Sequence, residues 1–263
     1  EDIAREKAEI LLGVQKGGAV ILNIDNQHFN LLSQIAIALG IKVVTYGIFE
    51  EADFRLVSCQ DQNEKTLINA NFNGKKLEYT IGNYGFHWVH NSIGVLAVME
   101  SLGADICQAA HDFSGVRPKE GRGRFHKLKT NGLTFGLIDD SYNANPASVS
   151  AAIAALSKFP NSNSGRRILV LGDMLELGNN EKKFHTDLAT QIITSNISLV
   201  YATGNLMKNM FFELPEDKRA IWSEKKRELG DALCSGLSQG DLILVKGSFG
   251  MGMREIVKRL LHI

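Results

Sequence analysis

From residue 133 to residue 261 the chain alternates without a break between short apolar runs and longer stretches of helical periodicity. The pattern predicts strands over 133–138, 167–171, 198–203, 220–222 and 241–245, and helices over 147–159, 181–195, 206–212, 224–237 and 251–261. Parallel strands need a crossover of about a dozen residues, usually a helix. Such a rhythm confines the second half to an α/β, Rossmann-like, doubly wound parallel sheet.

In an open sheet of that kind ligands bind outside the carboxyl ends of the strands. Here those ends carry Gly172-Asp173-Met174, Gly204-Asn205 and Lys246-Gly247-Ser248. The richest is 137–146, Leu-Ile-Asp-Asp-Ser-Tyr-Asn-Ala-Asn-Pro, where a strand runs into paired carboxylates, amides and hydroxyls. Asn145 is placed to cap the next helix, with Pro146 at its first position. A capped turn whose polar groups only meet solvent fits the same residues, so this stretch alone leaves both readings open.

The first half is less regular. Ile3, Lys7, Ile10 and Leu11 follow helical spacing, and 19–25 reads as a buried strand ending in Asn23, Asp25 and Asn26. A helix over 29–39 and a strand over 42–48 complete a βαβ unit. From 53 to 81 the texture turns to alternation with Asn73-Gly74 as a hairpin turn, which predicts an antiparallel extension. Helices follow over 87–102 and 105–113, and His87 and Asn91, four apart, share a face of the first. Residues 115–124 then shift to Gly, Pro and Arg, the composition of a hinge, and the domain boundary is placed there: 1–120 and 121–263.

Formal charge is +0, so no global field recruits nucleic acid or an anionic membrane. No run is apolar enough to insert in a bilayer. Cys59, Cys107 and Cys234 lie in unlike contexts without disulfide or metal spacing, which fits a reducing, cytoplasmic setting. The chain opens in charged helix without Met, as if cut from something longer.

No Gly-x4-Gly-Lys-[Ser/Thr] loop and no dinucleotide fingerprint occurs. Gly247 to Gly252 reads as a flexible turn whose exposed N–H groups could hold a carboxylate or phosphate, Lys246 adding charge. His28, His111 and His126 lack metal-ligand partners at helical or hairpin spacing and read as structural or surface residues. Asp173 and Glu176 could form a carboxylate pair. Lys7 reads as a solvated charge.

Taken together these motifs resemble the Mur ligase family. Asp139 to Pro146, Leu171-Gly-Asp-Met-Leu-Glu-Leu-Gly178 followed by His185, and Val245-Lys-Gly-Ser248 are similar to signatures of the member that adds D-alanyl-D-alanine to UDP-N-acetylmuramoyl-tripeptide. Gly85 to Asn91 and Gly123-Arg124 resemble more general family motifs, with Trp88 where many members have Asn and Asn26 where many have Asp.

The resemblance implies the remainder of a central ATPase domain followed by the Rossmann-like C-terminal ligase domain, without the UDP-binding domain or the phosphate loop. It implies an ATP- and magnesium-dependent amide ligase of bacterial peptidoglycan precursor synthesis working through an acyl phosphate, monomeric and cytoplasmic. Lys7 falls where the family has a carbamylated lysine that binds Mg2+. His87 and Asn91 would line the adenosine site, with Arg124 at the hinge and Asp140 reaching the ribose, contributing to binding and not to folding. Asn143, Asn145, Lys246 and Ser248 would face D-alanyl-D-alanine or the peptide carboxylate. Lacking the phosphate loop, this polypeptide alone is expected to be inactive. The alternatives are a non-catalytic nucleotide-binding module and another ligase of the superfamily, such as the folate polyglutamating enzymes.

Overall fold

A computed structural model describes residues 1–62, 65–82, 86–130, 132–159 and 165–263. They form two compact units, Glu1–Val116 and Arg117–Ile263.

In the first unit, helix α1 (Asp2–Ala8) passes into a 3-10 turn, Glu9–Gly13. Its inward side is Ala4, Ala8 and Leu11; Ala8 and Leu11 pack with Ala36 and Ile41. Ile3 and Ile10, expected on that face, are 72% and 76% exposed. Tightening to a 3-10 turn shifts the phase of the helix after Ala8, and the small alanines allow close approach.

Strand β1 (Ala19–Asn23), helix α2 (Phe29–Ala38) and strand β2 (Lys42–Gly47) make the expected parallel βαβ unit. Strand β1 is half-buried throughout rather than buried, because it lies at one end of the strand order β1-β2-β3-β4-β5. Strand β3 (Phe54–Gln62) continues in parallel at Tyr46↔Phe54, then β4 (Lys65–Phe72) and β5 (Lys75–Ile81) add the antiparallel extension. Asn73 and Gly74 take φ of 47° and 85°, the left-handed pair that a tight hairpin turn requires. Helix α3 (Phe86–Ser101) buries Val89, Ile93, Leu96 and Ala97 on the sheet side with Phe54, Ile68, Phe72 and Tyr79. Helix α4 (Ile106–Asp112) follows, and the Asp105 carboxylate accepts from its first amides.

The second unit opens with a strand absent from the sequence reading, β6 (Arg124–Thr130), antiparallel to β7 (Leu133–Asp140). The expected all-parallel sheet therefore has one antiparallel edge. Beyond it the alternation runs as read: α5 (Pro146–Lys158), β8 (Arg167–Gly172), α6 (Glu181–Ile193), β9 (Leu199–Thr203), α7 (Asn205–Glu213), β10 (Arg219–Trp222), α8 (Lys226–Ser235), β11 (Leu242–Lys246) and α9 (Arg254–Leu261). The order is β10-β9-β8-β11-β7-β6, with β7 to β11 mutually parallel. Strand β11, buried at every residue, is inserted between β7 and β8. The direction of strand addition reverses there, and the carboxyl ends of β7, β11 and β8 bring Asp140, Lys246 and Gly172 side by side. Among the described residues no helix is long and apolar enough to cross a membrane.

Candidate functional site

The three strand ends of the second unit are tied by side chains that cross between them. Lys246 ends β11 opposite Asp140 of β7. Its ammonium lies 2.6 Å from the Asp140 carboxylate and donates to the Asn143 carbonyl at 3.0 Å. The lysine side chain is 4% exposed and the aspartate 24%. A buried ammonium is tolerated only when paired and hydrogen-bonded, so Lys246 holds the β7–α5 loop and does not present a free charge.

Ser248 is buried too; its hydroxyl donates to the Ala144 carbonyl and accepts from the Leu175 amide at 2.8 Å. Its own amide donates to the Asp173 carbonyl. Gly247 is packed so closely that an added Cβ would sit 2.5 Å from Met253. The turn after β11 is thus bolted in place at Gly247 and Ser248 where a flexible loop was expected.

Asp139 and Asp140 point to different tasks. Asp139 is 2% exposed and its carboxylate accepts from the Gly121 amide at 2.8 Å and from Ser141, backbone and hydroxyl. Gly123 donates to the Asp139 carbonyl, and Tyr142 to that of Gly121. The Arg122 guanidinium lies over the Tyr142 ring, 4.2 Å from its centroid. From Gly121 onward the glycine- and arginine-rich stretch is therefore latched to the β7–α5 loop, and Arg124, expected at a hinge, begins β6 opposite Asp139.

Asn145 caps α5 as read: its side chain accepts from the Ser148 amide, and the Ser148 hydroxyl accepts from the Asn145 amide. With that oxygen committed, its amide nitrogen is the group left to serve a ligand. Asn143 is exposed. The Asp173–Glu176 carboxylate pair does not form as an acid–base site: Asp173 is buried and accepts from the Leu206 and Met207 amides at the start of α7. His185 is fully buried, accepting from the Met174 amide through Nε2 and donating to the Glu181 carbonyl through Nδ1, which fixes the turn after β8.

In the first unit Lys7 lies on the exposed side of α1. Asn91 is exposed near the start of α3; Gly85 and the side chain of His87 lie outside the described residues. A pair missed in the sequence includes His90, which directly precedes Asn91. The Asp25 carboxylate, just beyond β1, lies 2.8 Å from Nε2 of His90, and it also accepts from the Ile48 amide. The two residues are 65 apart in sequence, so no local spacing could signal them. Burial, and then the charge of Asp25, raise the Tyr46 pKa above its usual value. Among the described residues no cluster of three His, Cys, Asp or Glu side chains could hold a metal ion.

Two family models cover most of the chain: the Mur ligase middle domain over residues 1–99 and the Mur ligase glutamate ligase domain over residues 123–249. A UDP-N-acetylmuramoyl-tripeptide--D-alanyl-D-alanine ligase of Bacillus subtilis is 34% identical over 269 residues, matching 100% of this chain and 55% of its own length. A crystal structure of MurF from Acinetobacter baumannii superposes with a TM-score of 0.85 at 21% identity, covering 99% of this chain and 55% of that one. MurF from Thermotoga maritima, solved in complex with ADP, gives 0.74 at 20% identity over 94% of this chain and 54% of that one. The chain spans about half the length of the relatives it matches. Matched by both models in sequence order, it belongs to the Mur ligase family, with the family's middle domain in its first half and the glutamate ligase domain in its second.

Proposed function

We propose that this chain forms the middle and C-terminal parts of an ATP-dependent amide ligase that joins D-alanyl-D-alanine to UDP-N-acetylmuramoyl-tripeptide. A carboxylate oxygen of the tripeptide attacks the γ-phosphorus of ATP, releasing ADP and leaving an acyl phosphate. The dipeptide amine then attacks the acyl carbon; the new C–N bond forms as the C–O bond to phosphate breaks, and the amine gives up a proton. The observation that carries this reading is the set of loops at the β7, β8 and β11 ends, fixed by Lys246 and Ser248 and presenting Asn143, the amide of Asn145 and the accessible edge of Asp140. Together with a match to MurF relatives along the whole chain, it supports a substrate site at these ends.

Within the proposal the residues divide by reach. Asp140 offers its carboxylate edge to a hydroxyl donor such as a ribose, and Asn143 and Asn145 face the dipeptide or the peptide carboxylate. Lys246 and Ser248, buried and committed, act by holding those groups in place. In the first unit His87 and Asn91 are the proposed adenosine contacts, and Arg124 a polar contact at the start of β6. Mg2+ enters only as the partner of the ATP phosphates. Lys7 as an ammonium repels it and would need carbamylation to ligate it, and the described residues supply no other ligand set, so no step is assigned to the ion.

Transfer of oxygen tests the chemistry. With the tripeptide carboxylate labelled with 18O, the full gene product should release phosphate carrying one labelled oxygen per amide bond made. Unlabelled phosphate would rule out the acyl phosphate route.

A further inference from the structure

Three elements of the first unit meet at one carboxylate. Asp25 follows β1; its oxygens accept from the Ile48 amide at 3.0 and 3.1 Å and from the Phe49 amide at 3.4 Å, where the chain leaves β2. Nε2 of His90, on α3, stands 2.8 Å away. An ionised carboxylate only accepts, so the imidazole nitrogen carries the hydrogen. Gly47 leaves room for this approach: a Cβ there would fall 2.6 Å from the Asp25 oxygen. The His90 ring also packs on Tyr46, centroids 5.2 Å apart, and Tyr46 in turn fills the space over Gly94, whose added Cβ would be 3.0 Å from the ring. Both partners are largely sheltered, with side chains 12% and 17% exposed.

The apolar core grips α3 from Val89 onward, where Val89, Ile93 and Leu96 are buried. Trp88 packs against the same core, while Asn91 is exposed. His90 directly precedes Asn91 and lies three residues, about one turn, after His87. Pinning His90 to Asp25 therefore adds a polar tie between the turn bearing both proposed adenosine contacts and the carboxyl ends of β1 and β2. Ile48 and Phe49, 44% and 51% exposed, are drawn to the same point by their amides and offer apolar surface there.

We infer that His90 is a positioning residue for nucleotide recognition, acting through Asp25 and not by touching the nucleotide. The inference rests on the ligase reading for the ligand's identity, while its test reads ADP affinity directly and so stands apart from any failure of ligation. In the full gene product, His90→Phe keeps a ring against Tyr46 and removes the donor. ADP affinity should fall about 5- to 20-fold, with the ATP KM rising in parallel, kcat within about two-fold and the dipeptide KM unmoved. His90→Gln, whose amide reaches as far as Nε2, should recover most of the loss; His90→Asn, one bond shorter, should not. Asp25→Asn added to His90→Phe should cost little more than His90→Phe alone. If His90→Phe does not fold, the Gln and Asn variants carry the same contrast. Unchanged ADP affinity in folded His90→Phe or His90→Asn, equal behaviour of Gln and Asn, or a wild-type protein that binds no ADP would overturn the inference.

Discussion

Lys246 reaches from the end of β11 to Asp140 on β7, closing to 2.6 Å across 106 residues of sequence. This pair ties the ends of β7 and β11 together, so Asp140, expected to serve binding and not folding, also partners a buried lysine. Replacing the aspartate leaves a lysine that is 4% exposed without its carboxylate partner, facing neutral acceptors such as the Asn143 carbonyl, whereas removing the lysine leaves a carboxylate that still reaches water. Asp140→Asn should therefore destabilise by about 2–3 kcal/mol and Lys246→Met by roughly half as much, read as urea midpoints of the two variants. Equal losses, or none, would show that the ammonium finds another partner.

Asp139 should behave differently from its neighbour. It anchors Gly121 and Ser141 from a buried position, so Asp139→Ala leaves several donors unsatisfied, at about 2–4 kcal/mol. Hydrogen exchange at the Gly121 amide should accelerate in this variant and stay slow in Lys246→Met.

Gly204 has φ of 104°, and a Cβ there would lie 2.3 Å from the Asp173 carboxylate. Gly204→Ala should cost about 3 kcal/mol or more and free the Leu206 and Met207 amides that Asp173 now holds. A calorimetric melt compared with wild type measures it; near-neutrality would mean that the cap moves without penalty.

Burial, reinforced by the charge of Arg124 and opposed by that of Asp139, holds the His126 imidazole below its usual pKa of 6.5. Its Nε2 is buried without a hydrogen-bond partner among the described residues. A depressed histidine contributes stability present above the unfolded pKa and lost as pH falls through the folded one, because the unfolded chain takes the proton first. Urea midpoints should drop between pH 7.5 and pH 5, and His126→Phe should flatten that slope. An unaltered slope would assign the acid sensitivity elsewhere.

How much was legible follows from the range of each interaction. The Asn73-Gly74 turn, the Asn145 cap and the βα rhythm after residue 133 are local patterns, and they stand in the structure as read. Strand β6 escaped because its alternation of Arg124, His126 and Leu128 with Phe125 and Lys127 begins inside a glycine-rich run that resembles a hinge. The latch on Gly121 depends on Asp139, 18 residues away, and nothing in the composition of 115–124 signals it. Lys246 and Ser248 could be placed at a strand end, but their burial depends on neighbours more than 100 residues distant. Asp25 and His90 belong to different halves of the first unit's sequence and meet only when α3 packs on the sheet.

The most direct measurement is acceptor-dependent ligation by the full gene product supplied with ATP, magnesium, UDP-N-acetylmuramoyl-tripeptide and D-alanyl-D-alanine. The expected result is UDP-N-acetylmuramoyl-pentapeptide, identified by mass, with one ADP formed per amide bond and no product when the dipeptide is withheld, while the 263-residue chain alone stays at background. No pentapeptide from the full gene product, or ATP-dependent addition of glutamate to a folate in its place, would contradict it.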